Sequence, residues 1–146
     1  MAEKIRVGIV GYGNLGRGVE RAVALSPDMQ LAGIFSRRAP ESINPVDPNV
    51  AVYALATIEQ FRDDIDVLIL CGGSKSDLPE QGPALAALFN TVDSFDTHNK
   101  VPEYFAAMNA AASEAKRTAI ISVGWDPGLF SINRLFGEAK IGRAHV

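Results

Sequence analysis

The feature that most constrains this chain is a glycine turn set between two opposite periodicities. Ile5-Arg-Val-Gly-Ile-Val10 is a short β-branched run of the kind found in a strand buried on both faces. Gly11-Tyr12-Gly13-Asn14-Leu15-Gly16 follows at once, and from Asn14 to Leu25 the apolar residues recur at helical spacing, with Leu15, Val19, Ala22 and Val23 on the predicted inner face. A G-x-G-x-x-G is weak when it stands alone. Between a strand and a helix it is specific, because each glycine then has a task. Gly11 permits the tight turn, Gly13 lets a pyrophosphate approach the backbone, and Gly16 lets the helix lie close to the strand. The helix start adds unpaired N–H groups and a partial positive charge.

The rest of the chain repeats the rhythm. Strands are expected at Met29–Phe35, Val50–Tyr53, Asp66–Leu70, Thr91–Phe95 and Thr118–Val123. Between them lie a polar, proline-containing loop from Ala39 to Asn49, a brief helix from Thr57 to Phe61 with Thr57 as its N-cap, and helices from Pro79 to Phe89 and from Val101 to about Lys116. Alternation of this kind predicts an α/β fold. The expected form is a Rossmann-type doubly wound parallel sheet with strand order 3-2-1-4-5-6.

The end of the second strand selects the cofactor. An NAD-binding domain usually places an acid there for the ribose 2′-hydroxyl. Here the residues are Ser36, Arg37 and Arg38. Two guanidiniums and a hydroxyl suit a 2′-phosphate, through charge-assisted and often bidentate hydrogen bonds. The expected cofactor is therefore NADP.

Ligands of an open α/β sheet bind beyond the carboxyl ends of its strands. Three further segments fall there: Cys71-Gly72-Gly73-Ser74, Ser94-Phe95-Asp96-Thr97-His98 and Gly124-Trp125-Asp126-Pro127-Gly128. Asp96 and Asp126 would face one crevice and could together hold a substrate ammonium. Each also has a plainer role, Asp96 as a turn cap and Asp126-Pro127-Gly128 as a turn. Cys71 reads as a small buried residue, since no activating partner is evident. His98 has the chemistry of a general base, but a surface or capping role is the plainer assignment.

Composition narrows the partners. The net charge of −3 argues against nucleic acid, whose phosphates need a basic face. One cysteine excludes a disulfide or a multi-cysteine metal site within one chain, and no metal is expected. No apolar stretch nears the ~20 residues of a membrane span, and the start lacks a signal-peptide run, so the expectation is a cytoplasmic protein with no membrane partner.

Four runs together closely resemble the meso-diaminopimelate dehydrogenase family: Val10 to Arg17, Gly33 to Arg38, Thr91 to His98 and Gly124 to Arg134. The last two are long and specific. The resemblance implies NADP-dependent oxidative deamination at the D-configured centre of meso-2,6-diaminopimelate, giving L-2-amino-6-oxopimelate and ammonia. The reverse reaction would serve lysine and cell-wall precursor synthesis. It further implies cofactor contacts at Tyr12 to Leu15, Ser36 to Arg38, Cys71 to Ser74, Ser94 to Asp96 and Val123 to Pro127. Asp96 and Asp126 would contact substrate as well, and no general base is assigned.

Members of that family are longer and homodimeric, with a substrate and dimerisation domain after the first. The expected layout here is an NADP-binding domain over 1–128, the start of a connecting helix over 129–139 and a non-native tail over 140–146 that resembles a translated sequencing adapter. Phe130, Ile132, Leu135 and Phe136 should then form an exposed apolar patch. The chain alone should be catalytically inactive. Two alternatives stay open: another two-domain NADP oxidoreductase, such as a dihydrodipicolinate reductase or a sugar-type enzyme, and a stand-alone NADP-binding or redox-sensing module.

Overall fold

In the computed structural model the described residues are 3–124 and 129–141. Six strands form one parallel sheet: β1 Ile5–Val10, β2 Met29–Ser36, β3 Val52–Ala54, β4 Val67–Leu70, β5 Asn90–Asp93 and β6 Ala119–Ile120. Their spatial order is β3-β2-β1-β4-β5-β6, as the alternation predicted. The helices are α1 Asn14–Leu25, α2 Leu78–Ala86, α3 Val101–Glu114 and α4 Phe130–Ile141. Short 3-10 turns occupy Pro40–Ser42, Leu55–Phe61 and His98–Lys100.

The pleat divides the apolar residues into two layers. On one face Val10, Phe35, Leu68 and Leu70 pack with Leu78, Leu85 and Ala86 of α2 and with Tyr104, Met108 and Ala112 of α3. On the other, Ile9 and Ile34 pack with Tyr12, Ile43 and Val19 of α1. A parallel sheet covered on both faces needs strands that are apolar where they are covered, as β4 is throughout and β1 is from Val7 onward. The larger layer includes a three-ring cluster of Phe35, Tyr53 and Phe61, with centroids 4.5–5.4 Å apart.

Four local expectations are corrected. The inner face of α1 is Gly16, Glu20 and Val23, with Val19 half-buried. Leu15 and Ala22 face outward. Thr57 is not an N-cap. The 3-10 turn starts at Leu55, and the Thr57 hydroxyl donates back to the Ala54 carbonyl at 2.9 Å. Helix α2 ends at Ala86 because the last turn tightens, with Leu88 and Phe89 both donating to the Leu85 carbonyl. Strand β5 stops at Asp93, whose carboxylate accepts the Phe95 N–H at 3.0 Å and turns the chain.

Candidate functional site

The turn after β1 is stitched to both neighbouring strands. Gly11 donates to the Phe35 carbonyl at 2.8 Å, and Cys71 donates to the Val10 carbonyl at 2.7 Å. Gly11 has φ +88°, and a side chain there would press on the Cys71 and Gly72 backbone. A Cβ on Gly16 would lie 2.4 Å from the Gly11 carbonyl oxygen, so glycine is required for α1 to start this close. Gly13 is the opposite case: a Cβ there meets nothing within 4 Å. It is the N-cap of α1, with no side chain capping the first turn and no acid in it. The first N–H groups of the helix thus open onto free space with their partial positive charge uncompensated. That cradle fits a pyrophosphate.

Ser36, Arg37 and Arg38 leave the end of β2 beside this cradle. Ser36 is buried and accepts the Arg38 N–H at 3.1 Å. The Arg38 guanidinium donates to the Tyr12 carbonyl. Arg37 reaches Asp77 at the start of α2, at 2.6 Å. Asp77 also accepts the Gly73 N–H at 3.0 Å. That backbone bond and Arg37, outweighing partial burial, hold its carboxyl below the usual range. Both arginines are therefore gathered at the edge where a 2′-phosphate would lie. An exposed pair such as Arg37–Asp77 contributes little stability and exchanges readily for another anion.

The later strands continue the same edge. The Asp96 N–H donates to Ser74 Oγ at 3.1 Å, which joins the loop after β4 to the loop after β5. Gly124 lies beside Ser94, so the chain leaving β6 borders that loop too. A cavity of about 390 Å³ opens here between the starts of α2 and α3, with Ser74, Phe95, Thr97, Lys100 and Tyr104 in its wall. Phe95 is buried and stacked on Tyr104, Asp96 is exposed, and Val123 and Gly124 are exposed. His98 is exposed on the 3-10 turn before α3. Trp125, Asp126, Pro127 and Gly128, and the tail from 142 to 146, lie outside the described residues.

Burial pushes the Cys71 thiol up to about 12, so it stays protonated and is no nucleophile at neutral pH. Among the described residues no group of three or more His, Cys, Asp or Glu could hold a metal ion. Among them, too, no helix is long and apolar enough to cross a membrane.

Two buried acids were not evident from the sequence. Asp93 accepts the Phe95 N–H, the Ser122 N–H at 3.1 Å and the Tyr104 hydroxyl at 2.7 Å. It ties β5, α3 and the end of β6 together beneath the site. Ser122, held at φ +58°, carries the chain out of β6 toward Gly124. Glu20 sits under the glycine turn and accepts from Tyr12, Val46 and Asp47. One signal was available for Glu20: it falls between Gly16 and Val23 on one helix face, a charge inside an inward stripe. The side chain of Tyr12 is buried against it, so Tyr12 offers the cleft its backbone and not its phenol.

No family model matches the chain. The meso-diaminopimelate D-dehydrogenase of Lysinibacillus sphaericus is 62% identical over 137 residues, covering 94% of this chain and 42% of that enzyme. Among solved structures, the Corynebacterium glutamicum DAP dehydrogenase in complex with DAP is similar with a TM-score of 0.83 at 49% identity, over 94% of this chain and 42% of that one. An engineered D-amino acid dehydrogenase bound to NADP+ is similar with a TM-score of 0.83 at 50% identity, over 93% and 41%. The chain thus spans less than half the length of the curated relatives it matches.

Proposed function

We propose that this chain, a homologue of the amino-terminal part of the meso-diaminopimelate D-dehydrogenases, binds NADP along the carboxyl edge of its sheet. In the whole protein it would form the cofactor half of an NADP-dependent amino-acid dehydrogenase. The observation that carries the reading is the pairing of an uncapped, acid-free start of α1, open at Gly13, with two arginines at the end of β2. The pyrophosphate would lie on the Gly13–Gly16 N–H groups. The 2′-phosphate would take Arg37 from Asp77 and be shared with Arg38 and the Ser36 hydroxyl. Cys71 to Ser74, Ser94 to Asp96 and Val123 to Pro127 would line the nicotinamide half.

NADP, when bound, supplies the hydride acceptor. The chain's own residues bind and orient. Asp96, and Asp126 on the segment after Gly124, would hold the ammonium of the D-configured centre of meso-2,6-diaminopimelate, keeping its Cα–H directed at the cofactor. Oxidation at that carbon would leave an imine, and a water molecule would hydrolyse it to L-2-amino-6-oxopimelate and ammonia. The name of the Lysinibacillus sphaericus relative and the DAP-bound Corynebacterium glutamicum structure favour this substrate over another dehydrogenase chemistry. Groups that grip the distal carboxylate would come from the rest of the protein, along with the homodimer contacts. The 146-residue chain should therefore bind NADP without turning over amino acid.

Titration of the chain with both cofactors tests the reading. NADP should bind at least tenfold more tightly than NAD, and Arg37→Ala with Arg38→Ala should abolish that preference, since each lost charge-assisted bond is worth about 1.5–3 kcal/mol. Equal affinity for the two cofactors, or an unchanged preference in the double variant, would refute it.

A further inference from the structure

Glu20 is a carboxylate on α1 beneath the glycine turn, and it is only 3% exposed. A carboxylate in that position must be matched by donors or it destabilises the fold. It is fully matched. One oxygen accepts the Tyr12 hydroxyl and the Val46 N–H at 3.0 Å, and the other accepts the Asp47 N–H at 2.9 Å. The Val46 N–H is shared with the Tyr12 hydroxyl oxygen, also at 3.0 Å. None of these partners is needed to build the helix. They belong instead to the glycine turn and to the loop between β2 and β3. Ile43 from the same loop packs in the layer with Tyr12 and Ile34. The Arg17 guanidinium sits 5.9 Å from the centre of the Tyr12 ring and donates to the Asn44 carbonyl at 3.4 Å.

Tyr12 is the meeting point. Its phenol is held by Glu20, and its carbonyl accepts from Arg38. The loop fixed by Glu20 is the one that Arg37 and Arg38 begin. We infer that Glu20 is a positioning residue for the adenosine half of the cofactor. By clasping Tyr12 to the Val46–Asp47 backbone, it holds the loop and Arg38 where the 2′-phosphate is read. This rests on the NADP reading above, but the clasp itself can be observed without cofactor.

The test uses the intact chain with Glu20→Gln and Tyr12→Phe. Glutamine keeps the shape but replaces one acceptor oxygen with an amide donor. Phenylalanine removes only the hydroxyl, so it serves if the first variant fails to fold. Val23→Ala, on the same face of α1 but outside the clasp, controls for plain loss of stability. Binding of NADP, NAD and adenosine 2′,5′-bisphosphate is measured well below the melting temperature. Hydrogen exchange of the Val46 and Asp47 amides is followed without ligand.

Glu20→Gln should speed exchange of at least one of the two amides and Tyr12→Phe that of Val46, and both should weaken NADP and the bisphosphate about five- to tenfold, the worth of one or two hydrogen bonds. NAD should change less than twofold, and Val23→Ala should leave the NADP-to-NAD ratio intact. Protected amides in both clasp variants, or an NADP-to-NAD ratio that does not move, would overturn the inference. A parent chain that shows no NADP preference while its amides respond to Glu20→Gln would instead overturn the NADP reading and leave the clasp standing as a loop anchor.

Discussion

Helices α1 and α4 are each twelve residues long, and each carries apolar residues at helical spacing, yet they end in opposite situations. Helix α1 is drawn so tightly to the sheet that glycine is needed at its first turn, and even a carboxylate is buried on its inner face. Helix α4 leaves Ile132, Leu135 and Phe136 50–68% exposed, with Leu129 and Phe130 nearly half exposed beside them. The difference does not lie in hydrophobic content, since α4 is the more apolar of the two. It lies in what each helix has to pack on. Helix α1 connects two adjacent parallel strands and must cross the sheet between them. Helix α4 comes after the last described strand, and among the described residues its apolar face has no sheet layer to pack on. An exposed apolar face of this kind marks a contact surface.

The largest effect expected from this comparison is at Gly16. A Cβ there would overlap the Gly11 carbonyl oxygen, so Gly16→Ala should push α1 off its turn and lower stability by roughly 3 kcal/mol, read from chemical denaturation. A loss below about 0.5 kcal/mol would show that α1 can slide, and that the contrast with α4 is smaller than it looks.

Gly13 sharpens the same point three residues earlier. Its φ of −103° suits any residue, and its surroundings are open. Gly13→Ala should therefore leave the melting temperature within a degree or two but weaken NADP more than tenfold, by filling the space meant for the pyrophosphate. Isothermal titration beside thermal melts separates the two outcomes.

Glu20 gives a smaller, pH-dependent effect. Burial raises its carboxyl, but the Asp47 N–H, the Tyr12 hydroxyl and the Val46 N–H lower it more, so it lies below the ordinary value. A carboxyl lowered in the folded state contributes stability that is complete above its unfolded value. That stability is lost as the pH falls through the folded value. Melting temperatures taken from pH 6 down toward pH 3 should thus fall more steeply for the parent than for Glu20→Gln. Parallel curves would mean that the carboxylate is not ionised in the fold.

The smallest effect belongs to α4. Leu135→Ser with Phe136→Ser removes apolar area that is already mostly exposed. Stability should change by less than about 0.5 kcal/mol, while self-association seen by sedimentation should fall. A large loss of stability would mean that this face is covered in solution.

The sequence by itself determined the elements that local chemistry dictates. The strand, glycine turn and start of α1 were legible because Gly11 and Gly16 each answer a local steric demand. The sheet order followed from the alternation of strands and helices, since right-handed crossovers leave few topologies. The position of Ser36, Arg37 and Arg38 beside the glycine turn was legible because the fold fixes what the end of β2 faces. The exposed face of α4 was legible in Phe130, Ile132, Leu135 and Phe136, which recur at helical spacing and are all about half or more exposed.

The tertiary structure decided what depends on partners far along the chain. Leu15 and Ala22 have the same helical spacing as Val19 and Val23, but the docking angle set by Gly16 turns them outward and Glu20 inward. Glu20 is satisfied by backbone groups 26 and 27 residues away, and Asp93 by Tyr104 and Ser122, 11 and 29 residues away. The place of Glu20 between Gly16 and Val23 hints at an inward charge, but nothing local names the donors that would meet it. Whether it is buried depends on donors that the fold alone brings to it, because a buried charge persists only where those donors converge.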